Sequence, residues 1–211
     1  TEVDLIELHP GAPRPRGNQS VIAAGTGLGQ AGRVWCGERY RPFASEGAHG
    51  DFAPTHALGY SLHQWLQAKY GRVSWERVVS GQGLVDLHAF LRGAGGRRSP
   101  DWFAQAMEES SAASALANAA LMRRDGVCAE ALDLFIHYYG AEAGNHALKL
   151  MATGGVYLAG GIAPKVSSRF AEAGFLEAFF DKGRMRPLLE RMPVRLIVND
   201  RLAQLGAALC G

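Results

Sequence analysis

The sequence predicts an α/β domain, on three observations. Strand-length apolar runs end in glycine or Asn-Asp turns, segments of helical period stand between them, and 211 residues at 47% hydrophobic content suffice to bury one large core. That length fits one large domain, or one domain with an incomplete neighbour. The first stretch, Asp4 to Gly17, holds a short apolar patch and then Pro10, Pro13 and Pro15 among glycines and arginines. This composition reads as a loop and not as the first strand of a self-contained fold, and residues upstream of Thr1 are expected.

Val21-Ile22-Ala23-Ala24 is a short strand that runs into Gly25-Thr26-Gly27-Leu28-Gly29, and Arg33-Val34-Trp35-Cys36 has strand composition again. From Thr55 to Lys69, Leu58, Leu62, Trp65 and Leu66 recur at helical spacing, with Thr55 or His56 near the start. Ser74 to Gly81 reads as one or two helical turns with Ser74 as N-cap and Gly81 as the stop. Gly83 to Leu91 is helical in period, Pro100 to Met122 is helical with an Ala/Ser-rich middle, and Val127 to Met151 is the longest periodic segment. In that last helix, Gly140 and Gly144 are expected to let another element approach closely. Gly155 to Ala159 is an uninterrupted apolar run of the kind found in buried parallel strands, followed by Gly160-Gly161 and a helix start at Pro164. Val194 to Val198 is a second such strand, capped by Asn199-Asp200 and followed by a small-residue helix from Leu202 to Leu209.

Composition excludes several classes of function. Lys plus Arg number 22 against 20 Asp plus Glu, a formal net charge of +2, and the densest basic pieces, Arg97-Arg98 and Arg123-Arg124, are too short to track a phosphate backbone. Nucleic acid is therefore not an expected partner. Cys36, Cys128 and Cys210 lie far apart without metal-ligand spacing, so no structural zinc is expected. The most apolar run is no longer than a buried strand, and no charged start precedes a hydrophobic segment. A membrane is not expected, and three separated thiols suit a cytoplasmic location.

Ala44 to Pro54 packs Glu46, His49 and Asp51 into a segment without hydrophobic period, flanked by small residues that allow a tight fold. Two readings fit: a solvated surface turn, or a pair of side chains aimed at one polar object. A carboxylate accepts and a neutral imidazole both donates and accepts, a combination that suits the vicinal hydroxyls of a sugar. Gly25 to Gly29 joins strand to strand, and position 30 is Gln30 where a dinucleotide-binding loop needs glycine. The turn is either a hairpin or a phosphate-binding nest of backbone N–H groups. Gly160-Gly161, beyond the carboxyl end of a buried strand, is a candidate base-and-ribose site. By their positions His56, His63, His137 and His146 read as helix residues, and Glu76 as a charge complementing a helix start.

Ala24-Gly25-Thr26-Gly27-Leu28-Gly29, Glu46-Gly47-Ala48-His49-Gly50-Asp51-Phe52-Ala53-Pro54, Glu76-Arg77-Val78-Val79-Ser80-Gly81-Gln82-Gly83-Leu84 and Leu158-Ala159-Gly160-Gly161-Ile162-Ala163-Pro164 stand in this order. Together they closely resemble the bacterial ATP-dependent glucokinase family of the actin-like sugar kinase superfamily, from about Val21 to the C-terminus. The resemblance implies an α/β, actin-like (ribonuclease H-like) fold, with 21–211 as the large C-terminal domain of a two-domain enzyme and 1–20 as a loop or remnant of the inter-domain connection. It implies ATP-dependent phosphorylation of glucose at O6, with ATP and Mg²⁺, and a possible homodimer. Glu46, His49 and Glu76 fall where the family binds glucose hydroxyls; Gly25, Thr26, Gly27 and Gly29 fall in its phosphate turn, and Gly160 and Gly161 border its adenosine pocket.

Ala48 departs from the second glycine that the family commonly has there. The family's small N-terminal domain, with its Mg²⁺-positioning loop and its Asn-Asp pair that contains the general base, has no counterpart between Thr1 and Ser20. The resemblance therefore assigns this chain no catalytic residue and no metal ligand, and implies that the chain alone is inactive. Asn199-Asp200 reads as an ordinary cap and not as that pair. The alternative function is a non-catalytic sugar-sensing or regulatory domain of the same fold; no helix-turn-helix or basic face supports it.

Overall fold

The computed structural model describes residues 4–96, 100, 102–103, 105–106 and 111–199. Its strands are β1 (Leu5–His9), β2 (Gln19–Ala24), β3 (Leu28–Trp35), β4 (Tyr40–Ser45), β5 (Gly155–Ala159) and β6 (Val194–Ile197). They form one sheet in the order β1-β6-β5-β2-β3-β4. The centre is parallel, with β5 between β2 and β6, and both outer parts are antiparallel. Buried on both faces, β2, β5 and β6 are the apolar runs that the sequence shows most clearly.

Two edge strands correct the reading of the sequence. Leu5–His9 is not loop but β1, antiparallel to β6 with Leu5 opposite Ile197, and Gln19 already belongs to β2. Its signal is five residues long and is masked by the prolines that follow; its partner lies at the far end of the sequence. Among the described residues β4 pairs only with β3, and it is largely exposed, which tolerates Pro42 and the arginines that hide it.

The helices are α1 (Ala57–Tyr70), α2 (Gly81–Ala94), α3 (Ala112–Leu121), α4 (Gly126–Leu150), α5 (Phe175–Phe180) and α6 (Arg186–Leu189). His56 caps α1, its Nδ1 accepting from Gly59 N–H. Gly81 does not stop a helix: it is the first residue of α2, where Ser80 Oγ accepts from Gly83 N–H at 3.0 Å. Ser74 stands before the short 3₁₀ turn Trp75–Arg77 without a side-chain cap. α4 lies against the sheet, and its buried Tyr139 hydroxyl is 2.8 Å from Ile22 O and 3.2 Å from Ala159 O, tying helix to two parallel strands. At Gly140 and Gly144 a Cβ would collide with the Phe175 and Phe179 carbonyls, so the two glycines admit α5 at backbone contact. Arg97-Arg98, Asp200, the helix expected over 202–209 and Cys210 lie outside the described residues, as does part of the helix expected over 100–122. Among the described residues, no helix is long and apolar enough to cross a membrane.

Candidate functional site

The carboxyl ends of β2 and β5 carry the two glycine turns, and parallel pairing from Gln19↔Gly155 to Ala23↔Ala159 brings those turns side by side. Gly160 has φ +90°, and a Cβ on it would collide with the Ala24 carbonyl; Ile162 N–H donates to that same carbonyl at 3.3 Å. In the first turn Gly25 N–H donates to Gly27 O at 2.9 Å, and Gly81 N–H donates to Gly25 O at 2.8 Å, so the start of α2 latches the turn. A cavity of about 420 Å³ opens there, bordered by Gly25, Thr26, Gly81, Gln82, the first turn of α3 from Ser111 to Ser114, Gly161 and Lys165. Two helix N-termini thus meet one cavity, and the positive ends of their dipoles favour an anionic guest.

Of the six residues that the sequence places at a nucleotide, Gly25, Thr26 and Gly161 line this cavity. Gly160 instead seats the second turn on Ala24. Gly27 leaves room for the Glu76 carboxylate, and Gly29 lies within β3 opposite Ala23.

Glu46, His49 and Glu76 converge. His49 Nε2 is 3.7 Å from Glu46 Oε2, and His49 Nδ1 is 4.0 Å from Glu76 Oε1. The other oxygen of Glu76 accepts from Leu28 N–H at 3.0 Å, so one carboxylate spans the imidazole and the glycine turn. Asp51 holds this arrangement and does not join it: Arg72 Nε and Nη2 donate to its Oδ1 at 2.9 and 2.7 Å, and Arg72 also donates to His49 O. Asp51 further pairs with Ser74, and Trp75 N–H donates to Gly50 O, which stitches the Glu46–His49 turn to the segment that carries Glu76.

Sequence reasoning missed the support beneath. Glu142, fully buried on α4, accepts from Gln30 Nε2 at 2.7 Å and from Asn145 Nδ2 at 3.0 Å. Burial raises its pKa, and those two hydrogen bonds with Lys149 and Lys182 pull it back. Gln30 Oε1 lies where a Cβ on Gly47 would stand, so the carboxamide is the floor of the turn that carries Glu46 and His49. At the cavity, Gln82 donates to buried Asp86, which also accepts from Lys69 at 2.7 Å and Tyr70 at 2.6 Å. Neither role shows in the sequence: Asn145 and Gln82 stand one helical turn from their carboxylates, but Gln30, Lys69 and Tyr70 meet them only in the fold.

His88, Asp125 and Cys128 place ligand atoms within 4.8 Å of one another. A guanidinium already occupies this cluster: Arg92 Nη2 donates to Asp125 at 2.6 Å and Arg92 Nε to His88 Nε2 at 3.2 Å. Burial, with the nearby Asp125 carboxylate, pushes the Cys128 thiol up to about 12.

A family model described as Glucokinase matches residues 1–211. Proteins named glucokinase from Nostoc punctiforme and Synechocystis are 46% and 42% identical over 98% of this chain, which covers 64% and 62% of their lengths. The chain thus spans less than two thirds of the curated relatives it matches. A crystal structure of a glucokinase from an Antarctic psychrotroph superposes with a TM-score of 0.87 at 30% identity, over 100% of this chain and 62% of that one. A glucokinase of the ROK family from Streptomyces griseus, solved with glucose and AMPPNP, shares the fold at a TM-score of 0.62 and 19% identity, over 94% of this chain and 61% of that one. Sequence, fold and the placement of two glycine turns beside a Glu-His-Glu cluster lead to one assignment: the chain belongs to the glucokinase family.

Proposed function

We propose that this chain is the sugar- and nucleotide-binding large domain of an ATP-dependent glucokinase, which transfers the γ-phosphoryl group of ATP to O6 of glucose. The observation that carries the reading is Glu76, with one oxygen on Leu28 N–H at the glycine turn and the other facing His49. Such a bridge fixes the distance between a sugar and a nucleotide phosphate, and positioning supplies most of the catalysis in phosphoryl transfer.

Separations of 3.7 and 4.0 Å are too long for hydrogen bonds between the side chains themselves. A sugar hydroxyl that accepts from His49 and donates to Glu46 or Glu76 suits them, and each hydrogen bond to a carboxylate is worth roughly 1.5–3 kcal/mol net. The 420 Å³ cavity takes the nucleotide, with its phosphates toward Gly25 and Thr26 and its adenosine toward Gly161. Mg²⁺ would neutralise charge on the transferring phosphate; at the turn, Glu76 gives one of its two oxygens to Leu28 N–H. The proposal assigns the general base and the closing half of the cleft to a small domain outside 21–211. The names of the relatives support it, as does the glucose and AMPPNP bound to the Streptomyces griseus protein.

Isothermal titration of the chain with glucose, and separately with ADP, tests the reading. Saturable binding of each is expected. Glucose binding that does not differ between the wild type and Glu46→Ala, with the fold intact, would remove the sugar site.

A further inference from the structure

A second cavity, of about 230 Å³, opens between the start of α1, the middle of α4 and the end of α5. Its polar wall includes His56, His137, Tyr138, Asn145 and Lys182, with the exposed Thr55 and Asp181 at its rim and Trp75 on the side of the Glu46–His49 turn. His56 commits Nδ1 to Gly59 N–H, so its hydrogen is on Nε2. His137 has no hydrogen-bond partner among the described residues, although it is half-buried and edge-on to His56 at 5.7 Å. Lys182 Nζ donates to Ala178 O at 3.2 Å and has further N–H bonds to give. Asn145 commits Nδ2 to Glu142. Burial lowers the pKa of His137 and of Lys182; His56 depresses His137 further, while Asp181 and Glu142 raise Lys182. The wall is therefore rich in donors whose positive charge burial disfavours, and a guest that brings acceptors and negative charge would relieve both conditions.

We propose that this cavity is a second binding site, separate from the sugar and nucleotide sites, which takes a phosphate dianion held by His56, His137 and Lys182. The guest is either free phosphate or the phosphate end of a monoester, since the three donors recognise the oxygens that both share. Three such oxygens match a wall built from three nitrogen donors on three separate segments, and a dianion makes charge-assisted hydrogen bonds there that a neutral polyol does not. The site lies against the sugar turn, because Trp75 N–H donates to Gly50 O at 3.1 Å and Asn145 reaches Gly47 through Glu142 and Gln30. It does not rest on the glucokinase reading, and its test needs no turnover.

The test follows the ring signals of His56 and His137 by NMR at fixed pH and ionic strength while inorganic phosphate is added, and in a second arm glucose 6-phosphate. Both rings are expected to shift saturably, and Lys182→Met and His137→Phe should each raise the phosphate midpoint at least tenfold. Saturating ADP and glucose should leave the midpoint in place, which separates this site from the other two. A midpoint for the ester tenfold below that for phosphate identifies the monoester as the guest; equal midpoints identify the free ion. Ring shifts that never saturate overturn the proposal, as does a midpoint unchanged in both variants. Amide spectra establish that each variant folds, and if Lys182→Met does not, His137→Phe decides alone.

Discussion

Glu76 and the glycine turn depend on each other through a single hydrogen bond, and this separates two carboxylates that look equivalent in the sequence. Glu46 is exposed and touches only the His49 side of the site, whereas Glu76 also holds Leu28 N–H. Glu46→Ala should weaken glucose binding on the order of tenfold, the equivalent of one lost charge-assisted hydrogen bond, and leave ADP affinity unchanged. Glu76→Ala should weaken both ligands, and Glu76→Gln, which keeps an acceptor for Leu28, should restore ADP affinity but not glucose affinity. Titration calorimetry of the three variants separates these outcomes, and equal effects of Glu46→Ala and Glu76→Ala on ADP would contradict the bridge. The adjacent glycines diverge in the same way. Gly160→Ala places a Cβ against the Ala24 carbonyl at φ +90° and should cost about 1–3 kcal/mol of stability. A Cβ on Gly161 meets nothing within 4 Å, so Gly161→Val should lower ADP affinity with little change in urea midpoint.

At the scale of elements, two buried carboxylates on helices hold the site from below. Glu142 joins α4 to β3 and to the Glu46–His49 turn through Gln30, and Asp86 joins α2 to the end of α1 through Lys69 and Tyr70. Asp86 also directs Gln82 at the cavity beside Gly25 and Gly161. The carboxylate is buried but Lys69 is exposed along much of its length, which limits the ion pair itself. Asp86→Ala should therefore destabilise the fold by about 1–3 kcal/mol, chiefly through the unpaired Tyr70 and Gln82 groups, and should weaken ADP binding but not glucose binding. Urea denaturation with parallel titrations checks both parts; an unchanged ADP affinity in a folded Asp86→Ala variant would show that Gln82 is held without it. Tyr139→Phe removes the hydroxyl that joins α4 to Ile22 O and Ala159 O and should cost about 0.5–1.5 kcal/mol without changing either ligand.

For the whole molecule, burial sets the response to pH. His88, His137 and His146 have pKa values lowered from 6.5, each chiefly by burial. Below the unfolded value the unfolded chain binds protons that the native state refuses, so stability falls as pH drops below about 6.5. Glu142 acts in the opposite sense. Its folded pKa is raised above 4.5, so in the window above that value the native state binds the extra proton, and acidification there favours folding. The window from pH 7 to pH 5.5 brackets the unfolded value of all three histidines, and the thermal midpoint should fall across it. Replacing His146, which spends Nε2 on Ala31 O, is the wrong control because it breaks a hydrogen bond. His137→Asn is the better one, and it should flatten the profile. A midpoint that rises on acidification would mean that Glu142 dominates.

The sequence by itself determined the class of fold, the central strands and the long helices, because a strand buried on both faces and a helix with one apolar face must repeat apolar residues at their own periods. It determined the glycine turns and the Glu46–His49 segment as well, since tight backbone leaves its mark in glycine and alanine. The edge strands β1 and β4 were not legible: one-sided pairing makes little demand on composition, and Leu5–His9 acquires strand geometry only from Val194–Ile197 at the far end of the chain. Tertiary structure alone decided that Gly160 serves packing while Gly161 faces the cavity, and that Asp51 belongs to Arg72. It alone brought Gln30 and Glu142 together beneath the Glu46–His49 turn. Each of these roles is a contact between residues distant in sequence, and the identity of one partner carries no mark of the other until the sheet and α4 close upon each other.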